Sequence, residues 1–493
     1  MSKVLAFDLG ASSGRAVVVE YHEQKLDLQE IYRFPNQPVM LGNHLYWDIC
    51  RLFHEIKCGL NQCAVNGHRD ITSVAIDTWG VDFGLLDRDG DLLCNPYHYR
   101  DKRTNGIEEY IEEKIGLERL YYSSGIQNIW FNTSYQLAAM VKDKPDLLKL
   151  THQLLMISDL LGYFLTGVCR NEFTAASTTQ LFKTDAGSYH HELLAALGVP
   201  AHIFPPVIYP GQVLGSLKEE IAEESGLSPI PVVATASHDT SAAVVAVPAK
   251  QKDFIFISCG TWSLVGTELD SPIVNRETFV NGFSNEGTAE NRINFLKNIM
   301  GLWIVQECKN YWNSQGKEVG FAELEALAVQ SPPFASFIDV EDSLFISPGN
   351  MPDRIRDFCR STGQPVPEDM GSIIRCATES LAMKYRQTIE QIEDVIGKKA
   401  LPVHIIGGGC KDKTLCRFTA GALNRRVVAG PTEATAMGNA IIQLIAGGHI
   451  GSVADGRNII KNSADIAVYE PERPLEWDAA YKRYREIIER KKD

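Results

Sequence analysis

The sequence has little positive charge relative to its negative charge. Its 493 residues include 48 Lys and Arg against 62 Asp and Glu, which leaves a formal net charge of −14 at pH 7. Proteins that bind nucleic acid generally carry a basic surface on a basic domain. We therefore expect an acidic enzyme with no nucleic-acid partner, and a local basic pocket for an anion is compatible with this balance.

Long hydrophobic runs are also missing. A membrane-spanning helix needs about 18 or more apolar residues, whereas the apolar run at 242–249 is short and contains Pro248. The amino-terminal apolar stretch is too short for a signal peptide, and Asp8 interrupts it. We expect a soluble, cytoplasmic protein with no membrane partner, as a monomer or a small homo-oligomer.

The eleven cysteines lack the spacing of a metal site. No CxxC occurs, and the most closely spaced pair has no matching histidine pair nearby, which disfavours structural zinc. Free thiols are the default in a reducing compartment. Two pairs stay open as disulfide partners, Cys359 with Cys376 and Cys410 with Cys416.

The sequence does contain a repeated pattern of strand, glycine turn and strand, which occurs at the amino terminus and again near the middle of the chain. Residues 4–34 predict an antiparallel meander of strands, interrupted by the small-residue turn GASSG at 10–14. After Lys250 a similar pattern returns, and 256–261 aligns with 6–11. The length predicts two or three domains, and the repeat indicates two related halves. The region of about 105–225 is predicted to be mainly helical.

The turn at 10–14 favours phosphate binding. Glycine turns expose backbone N–H groups that can surround phosphate oxygens, and two hydroxyls add donors here. The sequence has no GxxxxGK[ST] loop and no GxGxxG fingerprint, so a different kind of site is implied. Asp8, at the strand end, could hold Mg²⁺ through its waters. An ordinary hairpin turn with a solvated aspartate is the alternative, and glycine turns at Gly260 and 407–409 favour the nucleotide.

A second motif, ASHDTSAAV, follows an apolar strand. Asp239 could act as a general base that takes the proton of an attacking hydroxyl in phosphoryl transfer. The alternative is structural, since an aspartate in a first helical turn interacts favourably with the helix dipole. The residues alone leave both interpretations open.

A third motif, DTWGVDF at 77–83, is predicted to be one strand. Asp77, Trp79 and Val81 would then share one face, and Asp82 would lie on the other. Carboxylates beside an indole suit a sugar, which has many hydroxyls and an apolar face. A strand end near a loop is the alternative.

Seven motifs in order carry a resemblance to a known family. The chain from about 4 to 475 resembles the FGGY carbohydrate kinases through DLGASSGR, DTWGVDF, YRDKRTNG, ASHDTSAA, SCGTWSL, LKNIMGLW and IIGGGC. The resemblance implies an α/β fold of two actin-like, ribonuclease-H-like domains, with mixed sheets flanked by helices and a catalytic cleft between them. The implied domains are 1–246 and 247–480, followed by a charged tail at 481–493.

The resemblance also implies a reaction and a set of site residues. The family transfers the γ-phosphoryl group of ATP to a sugar hydroxyl with Mg²⁺, and a hinge is implied near 245–252. Asp239 would be the base and Asp8 would serve the metal. The residues implied to contact ATP are Ala11, Ser12, Ser13, Gly14, Arg15, Thr261, Gln306 and Gly409. The residues implied to contact the sugar are Gly80, His238, Asp239, Thr240 and Asn298.

Two alternatives remain at this point. A kinase of the same family could act on another ketose, such as L-fuculose, because only the sugar pocket would differ. A nucleotide-dependent switch of the actin or Hsp70 type would share the nucleotide turns. Such a switch would need neither the SHDT motif nor DTWGVDF.

Overall fold

The computed structural model describes residues 2–492. Its strands are β1 (Ser2–Leu9), β2 (Ser13–His22), β3 (Lys25–Pro35), β4 (Val39–Leu41), β5 (His44–Tyr46), β6 (Val74–Thr78), β7 (Phe83–Leu86), β8 (Gln153–Met156), β9 (Asn171–Glu172), β10 (Phe182–Lys183), β11 (Ser188–Tyr189), β12 (Val207–Ile208), β13 (Val213–Ser216), β14 (Pro231–Val233), β15 (Ile255–Cys259), β16 (Trp262–Leu269), β17 (Ser284–Gly287), β18 (Ile293–Met300), β19 (Val403–Ile406), β20 (Val427–Ala429) and β21 (Ala467–Tyr469).

The α-helices flank the sheets. They are α1 (Ile49–Val65), α2 (Ile107–Lys114), α3 (Leu117–Ser124), α4 (Thr133–Asp143), α5 (Pro145–Leu150), α6 (Ile157–Thr166), α7 (Phe173–Ser177), α8 (His191–Leu197), α9 (Glu219–Ser225), α10 (Asp239–Val245), α11 (Arg276–Asn281), α12 (Trp303–Ser314), α13 (Phe321–Gln330), α14 (Met351–Ser361), α15 (Met370–Ile396), α16 (Lys413–Leu423), α17 (Ala434–Ala446), α18 (Val453–Ser463) and α19 (Pro474–Lys492). No helix within residues 2–492 is both long enough and apolar enough to cross a membrane.

The structure has two compact units. The first consists of the chain up to Lys250, Glu268–Phe295 and Ala434–Ala464. The second consists of Gln251–Thr267, Leu296–Glu433 and the chain from Asp465 onward. Two segments that follow residue 246 in the sequence therefore pack with the first unit.

Close helix packing explains why the later segment returns to the first unit. A Cβ atom on Gly438 of α17 would lie only 1.8 Å from the backbone oxygen of Ala242 in α10. Only glycine permits this approach, because any side chain would overlap the neighbouring backbone. Helix α17 is thereby placed directly against the helix that begins with Asp239.

The predicted meander is confirmed in the first unit. Strands β13, β14, β6, β1, β2 and β3 lie side by side in that order. The aromatic and β-branched residues of β1 and β2 suit a strand that is buried on both faces, and β1 runs antiparallel to β2 but parallel to β6. This register pairs Asp8 with Asp77, so both carboxylates lie at neighbouring strand ends.

The repeated opening is also a structural repeat. In the second unit β15 pairs antiparallel with β16 and parallel with β19, as β1 pairs with β2 and β6 in the first unit. The turn between β15 and β16 closes through a hydrogen bond from Gly260 N to Trp262 O (2.8 Å). The two related halves predicted from the sequence are therefore present at the level of strand order.

The segment DTWGVDF differs from its prediction as one strand. Strand β6 ends at Thr78, and Val81 adopts a positive φ of 65°. A β-branched residue rarely adopts this conformation, so the alternation of faces stops there. Trp79 and Asp82, predicted on opposite faces, instead join through a hydrogen bond from Nε1 to Oδ2 (3.0 Å).

The carboxyl-terminal segment is a helix with one buried face. Helix α19 begins at Pro474, before the predicted tail, and its Trp477, Tyr484 and Ile488 side chains pack in a cluster with Phe337. Part of the segment predicted as a charged tail therefore packs in the core of the second unit.

Candidate active site

The turn that follows β1 is held from outside by an asparagine. Gly10 N donates to Ser13 O (3.0 Å), Asn36 N donates to Ser12 O (3.0 Å), and Asn36 Nδ2 donates to Gly10 O (2.8 Å). Ala11 and Ser12 are exposed at its tip. The two glycines of this turn were predicted to serve phosphate binding, but Gly14 also has a packing role. A Cβ on Gly14 would lie 2.3 Å from the Phe34 ring. Packing alone thus explains Gly14.

Arg15, implied by the resemblance to contact phosphate, makes an ion pair in this structure. Its Nε and Nη2 both donate to Oδ2 of Asp8, at 3.0 and 2.7 Å. Two N–H groups on a carboxylate form a strong, oriented contact. The predicted phosphate-binding and metal-binding residues are therefore direct neighbours.

Asp77 lies beside Asp8 and is fully buried. Its Oδ2 accepts a hydrogen bond from Asn439 Nδ2 (2.6 Å), and its Oδ1 has no hydrogen-bond partner among residues 2–492. Burial raises the pKa of Asp77 well above its ordinary value, and the negative charges of Asp8 and Asp239 add to this effect. The sequence could not show Asn439 as a site residue, because it is 362 positions away.

A short polar ladder anchors that asparagine. Gln443 Nε2 donates to Asn439 Oδ1 (2.8 Å) and to Leu5 O (3.0 Å), while Ser73 Oγ donates to Gln443 Oε1 (2.7 Å). These groups are buried, so the bonds avoid the cost of burying unpaired polar atoms. Helix α17 is thus fixed in register against β1 and the start of β6.

Asp239 is the first residue of α10. Its side chain is 34% exposed, and its Oδ1 accepts a hydrogen bond from the Thr240 backbone (2.6 Å). Loss of hydration raises the pKa of Asp239, whereas the neighbouring His238 acts in the opposite direction. A partly exposed carboxylate with one short local bond is suited to receive a proton from a ligand hydroxyl.

His238 is held between two carboxylates. Its Nε2 lies 3.4 Å from Asp239 Oδ1, and its Nδ1 lies 3.2 Å from Glu286 Oε2. Burial alone would lower the pKa of His238, but Glu286 and then Asp239 outweigh this and raise it. The imidazole therefore lies in a strongly negative environment.

A second buried glutamate fixes the backbone that precedes Asp239. Glu172 accepts hydrogen bonds from Thr174 N (2.9 Å), Thr174 Oγ1 and Ser237 N (3.1 Å), and Thr174 Oγ1 in turn accepts from His238 N (3.0 Å). Burial raises the pKa of Glu172 to about 7, against the effect of these donors. The sequence prediction missed Glu172, since nothing nearby in the chain indicates its contact with Ser237.

The DTWG segment joins the same region. Thr78 N donates to Ser237 O (2.8 Å), which aligns Gly80 with the loop that leads to Asp239. A Cβ on Gly80 would lie 3.0 Å from the Thr178 side chain, so the position has little room. Asp82 accepts from Trp47 Nε1 (2.6 Å) and lies behind this segment, and burial raises its pKa to about 6.

The remaining predicted residues belong to the second unit. Thr261 Oγ1 donates to Gln306 Oε1 (3.1 Å), which brings two predicted nucleotide residues together. A Cβ on Gly409 would lie 2.2 Å from Cys259 Sγ, so this glycine packs against the end of β15. Asn298 lies in β18, close in sequence to the turn whose Gly301 N donates to Thr261 O (3.1 Å).

Two further sequence expectations concern metals and thiols. All eleven cysteines are free, and they lie within the described part of the chain. Among residues 2–492, no group of three or more His, Cys, Asp or Glu side chains is arranged to hold a metal ion by itself. Any divalent cation at Asp8 would therefore need ligands from water or from a bound phosphate.

Comparison with protein families matches nearly the whole chain. Residues 3–246 match the N-terminal domain of the FGGY family of carbohydrate kinases, and residues 255–447 match its C-terminal domain. A rhamnulokinase of Bacteroides thetaiotaomicron is 42% identical over 483 residues, covering 98% of this chain and 99% of that protein. A rhamnulokinase of Bacillus subtilis is 40% identical, covering 94% of this chain and 95% of that protein.

Solved structures agree on the fold. A ligand-bound xylulose kinase from Lactobacillus acidophilus superimposes with a TM-score of 0.81 at 14% identity, covering 99% of this chain and 98% of that one. Plasmodium falciparum glycerol kinase with ADP gives a TM-score of 0.79 at 14% identity, with 99% and 98% coverage. The predicted two-domain α/β fold with mixed sheets and flanking helices is confirmed.

Proposed function

The chain belongs to the FGGY family of carbohydrate kinases, and from this membership we propose that it phosphorylates L-rhamnulose with ATP. The products would be L-rhamnulose 1-phosphate and ADP, as a step in L-rhamnose degradation. The extended similarity to several rhamnulokinases supports this choice of sugar. The observation that carries the chemistry is Asp239, a partly exposed carboxylate fixed at the start of α10.

In the proposed reaction Asp239 is the general base. The sugar O1 attacks the γ-phosphorus of ATP, so the new O1–P bond forms while the bond from phosphorus to the β,γ-bridging oxygen breaks. The O1 proton passes to the Asp239 carboxylate, and ADP leaves with the bridging oxygen. An aspartate is a weak base, but a loose transition state requires little proton transfer before bond cleavage.

The sugar would be held in part by residues near this carboxylate. We assign substrate contacts to Gly80, His238 and Thr240, together with Asp239 itself, and from the family resemblance also to Asn298 of the second unit. The hydrogen bond from Thr78 N to Ser237 O supports the grouping of Gly80 with the His238 loop. Because Gly80 packs closely against the Thr178 side chain, it would contact the sugar through its backbone.

The ATP phosphates would contact the turn after β1. We assign this role to Ala11, Ser12, Ser13, Gly14 and Arg15, and the exposure of Ala11 and Ser12 at the tip of the turn supports the first two. To contact phosphate, the Arg15 guanidinium would share with the phosphate the N–H groups that now donate to Asp8. In the second unit we assign nucleotide contacts to Thr261, Gln306 and Gly409, and the Thr261–Gln306 hydrogen bond supports the first two.

Magnesium fits this arrangement as a companion of ATP. The neighbouring carboxylates of Asp8 and Asp77 supply the hard oxygen donors that Mg²⁺ prefers, and Asp77 Oδ1 is a buried oxygen with no other partner among the described residues. Asp8 would hold the ion through its waters. The ion would supply positive charge to the phosphate oxygens during transfer.

ADP release by the purified protein with Mg-ATP tests the proposal. The panel would contain L-rhamnulose, L-fuculose, D-xylulose, glycerol and no sugar. We expect turnover to be strongest with L-rhamnulose. Preference for L-fuculose would keep the kinase and change only the sugar, whereas ATP binding without any sugar-stimulated turnover would overturn the kinase in favour of a nucleotide-dependent switch.

A further inference from the structure

Glu286 is a buried carboxylate that the proposed reaction does not use. It lies in β17, its side chain is 6% exposed, and its Oε2 is 3.2 Å from Nδ1 of His238. The other ring nitrogen of His238 faces Asp239 at 3.4 Å. Glu286, His238 and Asp239 therefore form a line of carboxylate, imidazole and carboxylate that ends at the proposed base.

Burying a carboxylate is costly unless a positive charge or hydrogen bonds compensate it. Among residues 2–492 Glu286 makes no ion pair other than the one to His238, and its Oε2 has no conventional hydrogen bond. The compensating group for Glu286 is therefore the imidazole. A neutral imidazole has only one N–H and would turn its unprotonated nitrogen toward one of the two carboxylates, whereas the imidazolium presents an N–H and positive charge to both.

We propose that Glu286 is a positioning residue that holds His238 as an imidazolium, which in turn orients the Asp239 carboxylate and keeps it ionised toward the sugar hydroxyl. The inference rests on the proposed kinase function for its catalytic consequence. Its structural content, a charged His238 fixed by Glu286, stands on the two distances alone.

Other groups around His238 are consistent with this role. The charged or titratable groups facing it are Glu286 from β17, Asp239 at the start of α10, and Glu172 ahead of α7. All three are acidic, so none opposes a positive charge on the imidazole. The backbone of His238 is separately fixed by its bond to Thr174 Oγ1, so a change at Glu286 would act mainly on the ring.

The test compares Glu286→Gln, Glu286→Asp and the wild type across pH. For Glu286→Gln we expect kcat to fall by up to about a hundredfold, as for a displaced catalytic group, with ATP affinity unchanged. The range of pH over which kcat stays high should also become narrower at both its acidic and its basic limit. Asp239 would then need a higher pH to ionise, and His238 would lose its proton at a lower pH. Glu286→Asp keeps the charge and should recover part of the range.

A control and a direct measurement make the result decisive. Glu277→Gln, an exposed change in α11 of the same unit, should leave the kcat–pH curve unchanged. Nitrogen NMR of His238 should show an imidazolium in the wild type above the ordinary pKa of about 6.5 and an earlier loss of the proton in Glu286→Gln. The NMR measurement does not require turnover, so it distinguishes failure of the inference from failure of the proposed function.

Three results would overturn the inference. One is a kcat–pH curve for Glu286→Gln that matches the wild type in shape and differs only in height. Another is equal behaviour of Glu286→Gln and Glu286→Asp. The third is a neutral His238 in the folded wild type at pH values below its ordinary pKa, which would decide the question even if the Gln variant failed to fold.

Discussion

Asn439 Nδ2 donates a hydrogen bond of 2.6 Å to Asp77 Oδ2, and this bond joins residues 362 positions apart. Within residues 2–492 it is the only hydrogen bond to the Asp77 side chain, and the other carboxylate oxygen has none. Asp77 also lies beside Asp8 in the parallel pairing of β1 with β6. One amide from the last third of the chain therefore supports a carboxylate at the proposed metal and phosphate site.

Replacing that amide should destabilise the first unit. In Asn439→Ala, Asp77 would be fully buried without a partner, and Gln443 would also lose one acceptor. We expect the free energy of unfolding to fall by about 1–3 kcal/mol, the usual cost of an unsatisfied buried polar group. Urea unfolding measures this, with Asn458→Ala on the exposed face of α18 as the control. Equal stability of the two variants would contradict the importance of the bond.

Removal of the proposed base should separate folding from chemistry. Asp239→Asn keeps the shape of the side chain and should bind ATP with unchanged affinity by calorimetry. Its turnover should fall by about 10²–10⁴-fold, the range for loss of a general base. The exposed change Asp185→Asn should have no effect. Near-normal turnover of Asp239→Asn would reject this residue as the base.

Glu172 should make stability depend on pH. Its pKa is raised from the ordinary value of 4.5 to about 7 in the folded protein. Because the folded-state value is the higher one, its contribution is fully present below about pH 4.5 and is lost as the pH rises through about 7. Relative to Glu172→Gln, the wild type should lose roughly 3 kcal/mol of unfolding free energy across this interval.

Urea unfolding of both proteins at about pH 5 and about pH 8 provides the measurement, with the slopes checked for constancy. The exposed Glu220→Gln in α9 serves as the matched control and should follow the wild type at both pH values. A constant difference between wild type and Glu172→Gln would show that this carboxyl does not titrate within the interval.

The two glycines of the first turn should respond differently to substitution. A Cβ on Gly10 would meet only Ser13 O at 3.6 Å, an ordinary contact, whereas one on Gly14 would overlap the Phe34 ring. Gly10→Val should therefore fold normally but bind ATP more weakly, because the side chain would block phosphate approach. Gly14→Ala should lower the melting temperature instead. Unchanged nucleotide affinity of Gly10→Val by calorimetry would contradict phosphate binding at this turn.

The sequence predicted those features that depend on neighbouring residues. The meander, the glycine turns and the start of α10 at Asp239 all follow from local composition. The cap of α1 is equally local, since Asp48 accepts a hydrogen bond from Arg51 N (3.1 Å). The break at Val81 could not be predicted, because β-branched residues favour strands and its positive φ is imposed by surrounding contacts.

The supporting residues of the site could not be predicted for a different reason. Asn439, Glu172 and Glu286 act on partners that are distant in the sequence, and each resembles an ordinary polar residue of a helix or strand when read locally. Their roles arise only when the sheet and helices bring them together. The resemblance to a family identified the residues implied to contact substrate but not the residues that hold them.

The discontinuous first unit has a consequence for how the protein is made. Its sheet begins at the amino terminus, yet its last segment ends at Ala464, near the end of the chain. A ribosome must therefore synthesise the chain through α17, which ends at Ala446, before this helix can pack on α10 and Asn439 can reach Asp77. Until then, the nascent first unit exposes the apolar surface that α17 will cover, and exposed apolar surface of this kind favours aggregation during folding.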